Sequence, residues 1–409
     1  MKNFSSPLTL VALLVAGAAS AAPGHLIEGI SGATLNLSAK DGFINTPDGN
    51  SIYCWGYANG NGPMQYPGPT IILAQNQLVT INLTNRLSVP TSIVFPGQTN
   101  VIATGGVPGP IAREVPPGGV VSYSFRAGQP GTYMYNSGTR LDLQVEMGLV
   151  GALIVRPTVT TQAYAHASTA FTHEYLFLLS EMDPNVHDLV DLGGIGQVDT
   201  TKFFPVYWFM NGRCSPDTMA PAHASWLPNQ PYDCLPKMKP GEKLLIRLIG
   251  GGRDPHPFHH HGANSLLIAR DGRMLESASG AGADLAESDF TITVHPGGTA
   301  DAIFTWTGAN LGWDMYGHKA SDPLKPYEFA GDHGKAFPVQ LPGVLDVFQG
   351  ENWPGSPFLG KTGFLPPSQV NYNPAGAFFH MWHSHNEKEI VNNDIFPGGM
   401  MTMLIIEAW

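Results

Sequence analysis

His256-Pro257-Phe258-His259-His260-His261-Gly262 and, further on, His380-Met381-Trp382-His383-Ser384-His385 place two runs of alternating histidines in the second half of a 409-residue chain. Successive side chains on a strand point to opposite faces. His259 and His261 therefore share one face of one strand, and His383 and His385 share one face of another. Two such strands side by side gather four imidazoles about one point, and nitrogen-only ligation of that kind suits copper or zinc. By the same alternation His260 points away, behind the ligands or into solvent. His256 is a weaker ligand, either on the ligands' side or simply packed, and His380 and His295 are weaker again.

Outward from these strands the chain reads as all-β. Charged residues are only 13% of it, while 48 Gly and 35 Pro supply turns between many short strands. A formal net charge of −11 gives no attraction for nucleic acid or an anionic membrane. Lys2, the apolar run Leu8 to Ala19 and then Ala19-Ser20-Ala21 read as a secretory signal peptide over 1–21. That run is shorter than the roughly 20 apolar residues that span a bilayer. These features predict an exported protein, periplasmic or secreted, without a membrane span. In an oxidising compartment Cys214 and Cys234, in a Pro/Asn-rich loop, pair as a disulfide; the alternative is three separate buried thiols. Cys54 beside Trp55 reads as a small buried hydrophobe.

Four landmarks occur twice in the same order. Asn76 to Leu83 matches Gly241 to Leu248. Ile93-Val94-Phe95-Pro96-Gly97 matches Phe258 to Gly262. Val115-Pro116-Pro117-Gly118-Gly119 matches Val294-His295-Pro296-Gly297-Gly298. Tyr135-Asn136-Ser137-Gly138 matches Trp382-His383-Ser384-His385, and an apolar strand closes each half (Leu149 to Val155, Met401 to Ile406). The repeat predicts two β-domains, 24–157 and 172–409. Gly119 to Asn136 is 17 residues but Gly298 to His383 is 85, so the second domain carries an insertion of 68 residues within about 305–377. Insertions of that length are usually functional. Its His318 and His333 each read as surface histidines.

Tyr66-Pro67-Gly68-Pro69-Thr70-Ile71, Gly131-Thr132-Tyr133-Met134-Tyr135, Gln144 to Val155 and His256-Pro257-Phe258-His259-His260-His261-Gly262 together resemble the motifs of the multicopper oxidases. The resemblance implies two Greek-key cupredoxin-like β-barrel domains. It is similar in layout to the small laccases and copper nitrite reductases, which implies a homotrimer. It also implies eight histidines for a three-copper cluster, four from each domain. Val94, Phe95 and Pro96, with Asn136, Ser137 and Gly138, stand at the first domain's histidine motifs, so all four ligands are missing there. Ser384 stands where the family has the cysteine of its blue type 1 copper. Glu389 and Asp394 stand at the next histidine and the axial methionine. The resemblance thus leaves His259, His261, His383 and His385 as the ligand set for one or two coppers, with no blue centre.

Glu387, Glu389 and Asp394 follow the last ligand, either as anchors and proton donors behind the metal or as a solvated loop. Three functions fit. The first is a copper oxidoreductase acting on a small molecule or metal ion; the others are a copper storage or delivery protein and a metal-free scaffold.

Overall fold

The computed structural model describes residues 24–315, 318–325, 328–335 and 377–407, the side chains of 377–379 excepted. The signal peptide expected over 1–21 lies outside them. Clean alternation builds the outer strands. Leu78–Asn85 and Val120–Arg126 bury every second residue, the pattern of a sheet with one face on a core and one in water. Helix is limited to short pieces, Leu141–Gln144 and Pro184–Asp191 among them.

The strands form two pairs of sheets. In the first pair, one sheet runs Ser51–Asn59, Thr34–Asn45, Leu78–Asn85, Val120–Arg126, Ile102–Gly105, and the other runs Gly68–Ala74, Val150–Arg156, Gly131–Asn136. In the second pair, one sheet runs Tyr207–Met210, His173–Met182, Lys243–Gly250, Thr299–Thr305, Ser265–Arg270, Arg273–Met274. The other runs Lys237–Met238, Met401–Glu407, Ala377–Ser384, His256–His260, Thr291–Val294.

The duplicated landmarks occupy equivalent places. Leu78–Asn85 is parallel to one neighbour and antiparallel to the next, as is Lys243–Gly250. Val150–Arg156 and Met401–Glu407 repeat that arrangement in the facing sheets. The turns at Gly118 and Gly297 both need a positive φ (76° and 75°), which glycine adopts without strain.

Each pair of sheets closes over its own core. One holds Leu37, Tyr57, Ile81, Phe95, Tyr123 and Tyr135. The other holds Phe177, Ile246, Phe258, Phe304 and Trp382. A third apolar cluster, with Tyr66, Met134, Leu178, Phe209 and Ile249, joins the halves. Beside it lies a buried ionic knot. Arg247 Nε donates to Glu174 Oε1 (2.7 Å) and its Nη1 donates to Thr132 Oγ1 (2.9 Å). Arg156 donates to the other oxygen of Glu174, and Tyr164 and Thr132 donate to Asp301. Burial would push the Glu174 carboxyl up, but the guanidinium groups of Arg247 and Arg156 hold it below its ordinary value. A dry knot of this kind is tolerated because nearly every charge has a partner.

The expected Cys214–Cys234 disulfide is not formed. Cys214 belongs to the apolar cluster between the halves and Cys234 to the core of the second. Cys214 Sγ donates to the Trp208 carbonyl (3.3 Å) and Cys234 Sγ to the Met210 carbonyl (3.1 Å). Burial pushes both thiols up, Cys234 to about 12, so neither supplies a thiolate for exchange. Alkylation of the protein unfolded without reductant therefore labels all three cysteines, and dithiothreitol leaves the melting temperature unchanged. A species two mass units lighter with a single label would contradict this.

Candidate metal centre

His256–His260 lies between Thr291–Val294 and Ala377–Ser384, antiparallel to both. The register pairs Phe258 with Ser384, His259 with His383 and His260 with Trp382. Alternation then sorts the side chains. His259, His261, His383 and His385 face outward, while His256, Phe258, His260, Trp382 and Ser384 face the core. Trp382 is completely buried and packs edge-on against Phe177, Phe258 and Phe304. Its Nε1 donates to the His261 carbonyl (3.2 Å). That aromatic floor holds the two strands in register.

On the outer face the four rings form a sheared quadrilateral. His259 and His383 stand directly opposite each other (centroids 5.3 Å), with His261 beside both (4.9 and 5.3 Å). His385 sits at the other end, 4.8 Å from His259 and 5.7 Å from His383. The two diagonal cross-strand pairs, His259–His385 and His261–His383, are thus no further apart than the directly opposed pair, so the rings lean toward one another. His259, His261 and His383 bring one ring nitrogen each within 4.8 Å of one another. His385 stands outside that trio, exposed, with Nδ1 3.7 Å from the exposed Glu387.

The donor set fits a metal ion. His383 Nδ1–H donates to the Ser384 carbonyl (2.7 Å), so in the neutral ring Nε2 is the bare nitrogen. That Nε2 lies 3.3 Å from Nε2 of His261. Two nitrogens each about 2.0–2.1 Å from one ion, at a near-tetrahedral angle, are separated by about this distance. Thr291 Oγ1 holds His259 Nδ1 (2.7 Å) from behind, the kind of support that orients metal-binding imidazoles. Burial, then the other histidines, push His259 down to about 4, and His261 and His383 are lowered for the same reasons. The trio is therefore neutral at pH 7, with lone pairs available.

The core-facing side departs from expectation. His256 is fully buried and takes no part in the histidine cluster, because it lies on the opposite face of its strand. Its Nε2–H donates to Glu181 Oε2 (2.8 Å) and its Nδ1–H to Glu389 Oε2 (3.0 Å). Glu389 also accepts from Ser384 Oγ (2.6 Å) and Asn386 Nδ2 (2.9 Å), and Glu181 from the backbone N–H groups of Arg253 and Asp254. Burial alone would lower His256, but the hydrogen bonds to the two glutamates push it up to about 9. The result is a buried imidazolium between two carboxylates.

Glu389 thus touches none of the four imidazoles; it anchors Ser384, the residue between two of them. Asp394 is exposed on a left-handed turn (φ 68°) and belongs to the solvated loop. His260 is neither in solvent nor against the cluster. It is buried on Phe304 and Trp382, and its Nε2 accepts from the Ser265 N–H (3.0 Å). Glu181, on the strand His173–Met182, had no local signal, since only the sheet packing brings it to His256. In the first half, Val94 bridges Asn136 as His259 pairs with His383, so Val94, Pro96, Asn136 and Gly138 take the four equivalent places, where Asn136 and Gly138 are buried. Asn136 turns its Nδ2 to the Ser137 carbonyl (2.8 Å). A cavity of about 440 Å³ lies where the halves meet, lined by Pro96, Gly97, Arg270 and His295, but none of the four imidazoles lines it.

A multicopper oxidase family model matches residues 46–160, the half without histidine ligands. Copper resistance protein A of Pseudomonas syringae pv. tomato is 26% identical over 273 residues, 60% of this chain and 44% of that protein. The Escherichia coli protein of the same name is 24% identical over 279 residues, with the same two coverages. The chain spans less than half the length of these relatives. Blue copper oxidase from Nitrosomonas europaea has a similar fold (TM-score 0.58, 20% identity, 91% of this chain and 85% of that one). So does the copper nitrite reductase of the same organism (TM-score 0.54, 14% identity, 92% and 94%). The fold is of the all-β cupredoxin type.

His256→Leu would leave two carboxylates facing each other in a dry site, at a cost of about 3–5 kcal/mol, measured by denaturant unfolding at pH 7. The folded pKa of His256 lies above the unfolded value of about 6.5. Its stabilisation is therefore complete below about pH 6.5 and disappears as pH rises through about 9. The stability gap between wild type and variant should narrow over that window; a gap independent of pH would contradict the imidazolium assignment.

Proposed function

Since the chain belongs to the multicopper oxidase superfamily, we propose that it is an exported copper protein using a non-blue, histidine-ligated site. His259, His261 and His383 hold one copper, with His385 at the edge to complete its coordination or to share a second. The observation that carries this is the convergence of three neutral imidazoles, with His383 Nε2 left bare toward His261 Nε2. Copper at this place supplies one-electron redox chemistry toward a small molecule or a metal ion.

The protein's own part is positioning. Ser384 O and Thr291 Oγ1 fix the tautomers and ring planes, and the Trp382 floor fixes the strands. The outward, exposed setting of His261 and His385 admits substrate or a neighbouring subunit, so a homotrimer covering this face belongs to the proposal. Export to the periplasm or beyond follows the sequence features of residues 1–21. Among the described residues no helix is long and apolar enough to cross a membrane.

A specific observation also favours storage or delivery of copper. Ser384 stands between the ligands where an electron-relaying thiolate would be needed, and Glu389 and His256 fill the space beneath it. One experiment separates the readings. Anaerobic loading with cuprous ion and metal analysis should give one to two coppers per chain. Oxidation should give a cupric EPR signal of the normal, non-blue kind, and His383→Ala/His385→Ala should lose the metal. Oxygen uptake with a reductant supports the oxidoreductase; copper without uptake supports the carrier; absence of copper in the wild type sinks both.

A further inference from the structure

The segment that follows Thr299–Thr305 has no counterpart in the first half. Between 306 and 335 its described residues form turns and no strand or helix. Trp306, Trp313 and Met315 pack into the second core, which ties down the start of the segment. Its far end is joined back by Asp314 N–H donating to the Lys335 carbonyl (2.9 Å) and Gly334 N–H donating to Asp314 Oδ2 (2.8 Å). An irregular stretch of this length buries little apolar surface of its own, so its closure calls for another source of order.

Four side chains converge where the segment closes. Asp314, His318, Glu328 and His333 bring one ligand atom each within 4.8 Å of one another. Glu328 Oε1 lies 2.6 Å from His333 Nδ1 and 3.2 Å from His318 Nδ1. Asp314 Oδ2 lies 3.6 and 3.7 Å from the same two nitrogens. Three of these separations lie close to the roughly 3.3–3.6 Å edges of a tetrahedron whose centre is about 2.0–2.2 Å from each corner, while the Glu328–His333 contact is as short as a hydrogen bond. The carboxylates of Asp314 and Glu328 are almost completely covered (2% and 3% exposed), which argues against a solvated surface cluster.

Two further observations point to a cation. His333 Nε2–H donates to the Asp322 carbonyl (2.9 Å). In the neutral ring this leaves Nδ1 as a bare lone pair facing a carboxylate oxygen at 2.6 Å, a contact that needs either a proton or a metal ion between them. Metal-binding histidines are held from behind by such a carbonyl. Separately, Asp314, Glu328, Asp332 and His333 line a cavity of about 10 Å³, close to the space one water or ion requires. Asp332 is buried, and its Oδ2 has no hydrogen-bond partner among the described residues.

We propose that Asp314, His318, Glu328 and His333 form a second metal site, a closed structural one for a divalent transition-metal ion, with Zn²⁺ the best match. Two imidazoles and two carboxylates neutralise a 2+ charge, and four protein ligands leave no open position, as in structural zinc sites. Binding there closes the loop from 314 to 333 and so orders the start of the insertion. The site is separate from the four-histidine cluster and does not depend on its function.

The test uses the full chain carrying His383→Ala/His385→Ala, stripped with chelator and titrated with Co²⁺ as the spectroscopic probe. One equivalent should bind with the intense visible bands of a tetrahedral ion, and equimolar Zn²⁺ should displace it and raise the melting temperature. Adding His318→Asn/His333→Asn should remove the equivalent, and the milder Glu328→Gln should weaken it at least ten-fold with an unchanged circular dichroism spectrum. Failure of the stripped but folded parent to bind Co²⁺ or Zn²⁺ would overturn the proposal, leaving an imidazolium–carboxylate cluster only. So would binding that survives all three changes. The same titration of the chain with both clusters intact shows a further equivalent only if the four-histidine site also takes metal, which keeps the two proposals distinguishable.

Discussion

Phe258 pairs with Ser384, His259 with His383 and His260 with Trp382 across two antiparallel strands, and that register decides what each face of the sheet can do. A slip of one residue on either strand would exchange the faces. It would bury the outward imidazoles or expel Trp382 from the core. The aromatic floor makes the slip costly: removing a large buried aromatic from such a setting costs about 3–5 kcal/mol. The energy that fixes the metal face is thus spent on the opposite side of the same strands, where no ligand lies.

The duplicated half makes the same point without the chemistry. Val94 bridges Asn136 and Phe95 packs under it on Tyr123, Phe125 and Tyr135, just as His259 pairs with His383 over His260 and Trp382. The inward places keep large rings in both halves. The places equivalent to the outward histidines have changed to Val94, Pro96, Asn136 and Gly138 without disturbing the sheet. Packing constrains the core face and leaves the outer face free to gain or lose ligands, so one fold carries a ligand set on one side of the duplication and none on the other.

This division explains what was legible in the sequence. Alternation and repetition are local or periodic properties, so the strands, the repeated landmarks and the outward histidines could be located from residue order. Contacts between distant segments could not. Glu181 lies 75 residues from His256 in a strand with no motif. His256 shares the parity of His260, so alternation alone points it inward, but nothing in residue order names the two carboxylates that meet it there. The disulfide expectation failed similarly: Cys214 and Cys234 share a loop but face different cores. His318 and His333 looked ordinary one at a time, because the carboxylates that complete their cluster are spread over 314–328 in an irregular segment. Asp394 follows the ligands in the chain, which leaves both an anchor and a solvated loop open, and its turn carries it outward into the loop.

Ser384 is where the two faces meet, and its surroundings bear on more than the loss of a sulfur ligand. An inward thiolate at this position would present a second negative charge to Glu389, and the space beside it holds an imidazolium with both nitrogens already donating, to Glu181 and Glu389. A cation added there would have to displace that proton charge and break hydrogen bonds that now satisfy every oxygen of both glutamates. Cysteine at 384 alone would therefore stay a protonated thiol in that dry pocket and build no copper site. The carboxylates, the imidazolium and the serine hydroxyl form one interdependent unit, as buried polar networks do when each member is satisfied by the others. What Ser384 carries outward is position: its carbonyl holds His383, its hydroxyl is tied to Glu389, and the histidine face inherits its geometry from the core beneath it.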